Sequence, residues 1–89
     1  MISRTLTIVN KLGLHARAAA RLVGLTSQFQ SDITIERNQR RVNGKSIMGV
    51  MMLAAAQGSE ITVHIDGPDE EDALAAVEAL VQERFGETE

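Results

Sequence analysis

Eighty-nine residues, 44% of them hydrophobic, are enough for one core and a single domain spanning residues 1–89, and too few to enclose a deep cleft lined by several ordered catalytic groups. A net charge of -3 with no Trp, no Tyr and only Phe29 and Phe85 opposes nucleic-acid binding, which needs cations for the backbone and aromatic platforms for the bases. The absence of Cys excludes disulfides, thiolate nucleophiles and cysteine-based metal sites, and agrees with a cytoplasmic setting.

From Ile2 to Val9, Ile2, Leu6 and Ile8 share one parity and Ser3, Thr5 and Thr7 the other, which predicts a half-buried strand. Arg4 and the polar positions break any apolar run there, so neither a signal peptide nor a membrane span is expected. Residues 16–27 place Ala18, Leu22 and Leu25 on one stripe beside Ala19 and Val23, the spacing of a helix. Ile33 and Ile35 alternate with Asp32, Thr34 and Glu36, Asn38-Gln39 suits a turn, and Arg40–Val42 can return as a short antiparallel strand. Asn43-Gly44 interrupts the pattern, and Ser46 then heads an apolar run, Ile47 to Ala56, that predicts a short helix.

Glu60–Asp66 alternates through Ile61, Val63 and Ile65, ends at Gly67-Pro68, and leads into an acidic helix start at Asp69–Asp72. Leu74, Val77, Leu80 and Val81 form the apolar stripe of that last helix. Glu78, Gln82 and Glu83 face water, Arg84 and Gly86 mark its end, and Glu87-Thr88-Glu89 is expected to fray. The order βαββαβα needs helices to cover the apolar face of alternating strands. The expected fold is therefore an α+β open-faced sandwich: a four-stranded antiparallel sheet with helices packed on one face.

The chemistry concentrates at Gly13-Leu14-His15-Ala16-Arg17, where the first strand joins the first helix. Backbone N–H groups at a helix start lack internal acceptors and attract anions. A phosphoryl group on His15 could accept hydrogen bonds from the N–H groups of Ala16 and Arg17, and the Arg17 guanidinium could bind its oxygens in a fork. A histidine at a helix start is equally often only a polar end residue. His64, among Thr62 and Asp66 on the outer parity of its strand, is read as structural. Two separated histidines without Cys make a poor metal site, and neither a metal nor a cofactor is expected.

Gly13-Leu14-His15-Ala16-Arg17, followed by Lys45-Ser46-Ile47-Met48-Gly49-Val50-Met51, resembles the HPr family of the bacterial phosphotransferase system over nearly the whole chain. Met51-Met52-Leu53-Ala54-Ala55-Ala56 is more similar to the nitrogen-related branch, NPr, than to the enteric sugar-transport form. The resemblance implies that His15 accepts phosphate from enzyme I, itself charged by phosphoenolpyruvate, with Arg17 on the phosphate side. His15 then donates the group to a histidine of an enzyme IIA protein. The chain would be a monomeric carrier in a relay rather than a stand-alone enzyme. It departs from the family at Ala18, where proline is usual; Ala keeps an N–H and still suits a helix.

Ser46 is placed to cap the short helix. In some members of the resembling family the matching serine is phosphorylated by a dedicated kinase, which would put negative charge beside a docking surface. Ile47, Met48, Met51 and Met52 cannot all face inward on so short a helix. Flexible methionines suit a surface that serves more than one partner, and the resemblance implies a docking patch of these four residues beside His15.

Overall fold

The computed structural model describes residues 1–89. Its four strands, β1 (Ile2–Thr7), β2 (Asp32–Arg37), β3 (Arg40–Asn43) and β4 (Glu60–Asp66), form one antiparallel sheet in the order β1-β4-β2-β3. The register makes the period-two pattern work. Ile2 pairs with Ile65 and Leu6 with Ile61 across β1 and β4, while Ile33 pairs with Ile65 and Ile35 with Val63 across β2 and β4. These rows point one way and, with Ile2 only partly covered, are buried. Ser3, His64 and Thr34 form one row of the opposite face, and Thr5, Thr62 and Glu36 the next. That face is left to solvent.

Helices α1 (Ala16–Thr26), α2 (Ile47–Met52) and α3 (Glu70–Gln82) cover the apolar face. α1 buries Ala18, Ala19, Leu22 and Val23, α3 buries Ala73, Leu74, Val77 and Val81, and α2 contributes Val50. Arg4 has the inward parity but lies on an edge strand, so its guanidinium reaches out to Glu78 of α3 at 3.0 Å. The architecture is the open-faced α+β sandwich that the pattern predicts. No helix is long and apolar enough to cross a membrane.

Apart from one-residue shifts at the ends of α1 and β3, three boundaries differ from the expectation. β1 stops at Thr7 because its partner turns away: the Ile8 N–H still donates in register to Ser59 O at 2.9 Å, but Ile8 O accepts from the Gly58 N–H at 2.8 Å, where Gly58 takes φ +88°, and Ile8 remains fully buried. α2 stops at Met52 rather than Ala56, since Ala54 takes φ +50° and turns the chain. The apolar run misled here because Leu53 and Ala55 are buried as a turn against the core, not as a further helical turn. The end of the chain does not fray. α3 is followed by a 3-10 turn, Arg84–Gly86, that buries Phe85 completely. Glu87 is bonded to Asn10 and His15, and the Lys11 N–H donates to Glu89 O at 2.9 Å.

Candidate functional site

β1 hands the chain to a loop held from both sides. Asn10 is fully buried, and its Nδ2 donates to Gly13 O at 2.8 Å and to Glu87 Oε1 at 2.9 Å. Gly13 has φ +68°, and a Cβ on it would lie 2.4 Å from Ala55 O, so only glycine fits. The next N–H, that of Leu14, donates to the same Ala55 carbonyl at 2.9 Å, and the Leu14 side chain is buried. The loop thus rests on the turn that leaves α2. Helix α2 and the histidine loop are neighbours for this reason.

His15 is the N-cap of α1 in extended conformation, φ -73° and ψ 179°, and its side chain makes no capping bond. The first helical bond runs from the Ala19 N–H to His15 O at 2.8 Å. The N–H groups of Ala16, Arg17 and Ala18 therefore have no carbonyl partner inside the helix. Ala18 is buried in the first turn, which forms without the proline the family pattern carries there. Its N–H adds a donor that proline would remove.

The imidazole is partly exposed and its Nε2 is hydrogen-bonded to Glu87 Oε2. The bond from Asn10, and then His15, hold the Glu87 carboxyl below the ordinary glutamate range against the opposing effect of burial. Arg17 is exposed and makes no ion pair or hydrogen bond. With Lys11, Leu12, Arg21 and the Gly86–Glu89 segment it lines an open cleft of about 430 Å³ beside the histidine. Arg21 is tied down, its guanidinium donating to Phe85 O.

Around α2, Ser46 Oγ accepts from the Gly49 N–H at 3.1 Å, the N-cap bond expected of it. Ile47, Met48, Met51 and Met52 are 42%, 71%, 39% and 58% exposed, whereas Val50 and Leu53 belong to the core. All four side chains of the expected docking patch therefore stand in solvent. Leu12, 67% exposed and beside the cleft, was not singled out by the sequence pattern.

His64 lies on the outer sheet face. Its Nδ1 is 2.8 Å from Ser3 Oγ and its Nε2 3.0 Å from Glu36 Oε1, and Glu36 also accepts from Arg41 at 3.1 Å. Arg41 first, and His64 with it, keep the Glu36 carboxyl below its usual range. This network ties the four strands together and is separate from His15. Sequence reasoning missed Asn10 and Glu87. The one local sign was Phe85, an apolar residue beyond the end of the helical stripe, which draws the chain back onto the core.

Residues 2–83 match the family model described as PTS HPr component phosphorylation site. The chain is 56% identical over 89 residues, all of both chains, to the phosphocarrier protein HPr of Cupriavidus necator. It superposes on HPr-C-His from Thermoanaerobacter tengcongensis with a TM-score of 0.96 at 44% identity, covering 100% of both chains. An HPr dimer from that organism matches with a TM-score of 0.79 at 45% identity, over 98% of this chain and 100% of that one. A histidine at the N-cap position beside free backbone donors, this fold, and full-length likeness to phosphocarriers agree: the chain belongs to the HPr family of the phosphotransferase system.

Proposed function

We propose that this protein receives a phosphoryl group on His15 from phosphoenolpyruvate-charged enzyme I and passes it to an enzyme IIA protein. The observation that carries this reading is the position of His15 as the N-cap of α1, with three backbone N–H groups free at the same helix end. With Nε2 engaged by Glu87, Nδ1 is the ring nitrogen left to attack phosphorus. The N–H groups of Ala16 and Arg17 then receive the phosphoryl oxygens, and the unpaired Arg17 guanidinium swings in to neutralise charge as the group arrives and leaves. Few contacts on an open site suit a group that must be surrendered again.

Ile47, Met48, Met51 and Met52 form the surface on which both partners dock, supported by their exposure and by the Leu14–Ala55 bond that sets α2 against the histidine loop. A kinase-added phosphate on Ser46 would repel such partners by charge. The methionine- and alanine-rich run 51–56 supports service in a nitrogen-related relay. The chain acts as one cytoplasmic domain and, as its small size suggests, as a monomer, which light scattering at working concentration tests against the dimer known for a relative.

Incubation with enzyme I and labelled phosphoenolpyruvate should give an acid-labile phosphoramidate on the wild-type protein and on His64→Ala, and none on His15→Ala. An unlabelled wild-type protein would sink the proposal.

A further inference from the structure

Glu87 is the only side chain that touches a ring nitrogen of His15, and it is held there by the buried residue that also fixes the histidine loop. Asn10 is fully buried, directs both Nδ2 protons outward, one to Gly13 O and one to Glu87 Oε1, and leaves its own Oδ1 buried without a partner. An orphaned buried acceptor is destabilising. Rotating the amide would relieve that oxygen only by aiming it at two other oxygens. The orientation of Asn10 is thereby fixed, and with it the position of the Glu87 carboxylate.

We infer that Glu87 is a positioning residue for phosphoryl transfer: held by Asn10, its carboxylate keeps the His15 proton on Nε2 and the lone pair on Nδ1. This rests on the reading of His15 as the phosphoryl acceptor. An ionised carboxylate only accepts hydrogen bonds, so Nε2 must be the donor. The Nδ1 lone pair then forms the bond to phosphorus while the donor's own bond to phosphorus breaks and its electron pair leaves with the donor. The positive charge that develops on the ring is shared along the Nε2–H to Glu87 bond. In onward transfer the P–Nδ1 pair returns to Nδ1, and the ring is again neutral with its proton on Nε2. No proton has to leave or enter in either direction.

The isosteric variant separates this role from packing. In Glu87→Gln the amide oxygen must face Asn10, whose donor direction Gly13 fixes, so the amide NH2 faces Nε2. A donor there forces the ring proton to Nδ1 and removes the nucleophilic lone pair. Glu87→Ala leaves Nε2 to water and both tautomers accessible.

The test records ring 15N shifts of His15 in the unphosphorylated full chain at a pH where the ring is neutral, and then the rate of phosphate uptake from enzyme I. Expected are an Nε2–H tautomer in the wild type, a mixture in Glu87→Ala and an Nδ1–H tautomer in Glu87→Gln. Uptake should fall at least tenfold in Glu87→Ala and further in Glu87→Gln, although Gln is the closer match in shape. A packing role would rank the two variants the other way. Unchanged tautomers in both variants, or Glu87→Gln at the wild-type rate, would overturn the inference. The tautomer measurement needs no phosphate, so it stands apart from the carrier reading, which fails only if wild-type His15 takes up none.

Discussion

Asn10 and Glu87, 77 positions apart in the chain, share a 2.9 Å hydrogen bond that brings the exit of β1 and the segment beyond α3 together at the His15 ring. The site is thus built from both ends of the fold. His15 heads α1, its loop is bonded to the turn after α2, and Arg17 and Glu87 line the adjoining open cleft. Changes far from His15 in sequence should therefore reach it.

Gly13→Ala should be among the most damaging single-atom additions in the loop. The new Cβ would stand 2.4 Å from Ala55 O at a φ of +68°, so either the loop or the turn after α2 must move. We expect a loss of about 2–3 kcal/mol, a Tm lower by about 10–20 °C, and slower phosphate uptake in the fraction that stays folded. Thermal unfolding and uptake kinetics on the same sample check both.

Met48→Asp should leave stability within about 0.5 kcal/mol, since the side chain is free of the core. It places a charge in the middle of the apolar patch. A rise of about tenfold or more in the KM for this protein as substrate of enzyme I is expected, the effect of losing one central interface anchor. An unchanged KM would remove the patch from the docking surface.

Ser46 separates capping from charge. Ser46→Ala removes the bond to the Gly49 N–H and should cost about 1 kcal/mol. Ser46→Asp retains an N-cap acceptor and should stay near wild-type stability, yet take up phosphate more slowly because its charge stands beside Ile47 and Met48. Urea unfolding and uptake rates, measured for both, should move in opposite orders.

Asp69 should shape the acid limb of stability. The Ser31 hydroxyl, then the Gln30 N–H and the Ser31 N–H at 2.9 and 3.0 Å, hold its carboxyl below the ordinary aspartate range. A depressed folded-state value means the stabilisation is complete above the unfolded-state value, about 4, and is lost as pH falls through the folded one. Denaturant unfolding between neutral pH and pH 2 should show this decline. Asp69→Asn should be less stable at neutral pH and decline less steeply, with Glu36, Glu70 and Glu87, lowered likewise, supplying what remains of the slope.

Much of the fold was legible from local pattern. The rows Ile33, Ile35 and Ile61, Val63, Ile65 are buried as their alternation demands, and Leu74, Val77 and Val81 lie inward as a helical stripe should. Strand and helix faces repeat over two and 3.6 residues, so neighbours in sequence carry the information. His15, Arg17 and the donors of Ala16 and Arg17 were legible for the same reason: the helix start and its histidine fall within one five-residue run. The α2 boundary was not, because an apolar run is equally compatible with a buried turn, and the turn at Ala54 leads to a carbonyl, that of Ala55, whose partner is the N–H of the distant Leu14.

By itself the sequence determined the βαββαβα order, the inward faces and the histidine at the head of α1. Only the tertiary structure decided how that histidine is held. Gly86-Glu87-Thr88 has the composition of a solvated acidic end, and nothing within reach of it in the chain distinguishes Glu87 from Glu89. Its partners, His15 and Asn10, lie 72 and 77 positions away. They meet it only in the folded sheet with Phe85 in the core, and a hydrogen bond between such distant groups has no local periodicity to announce it.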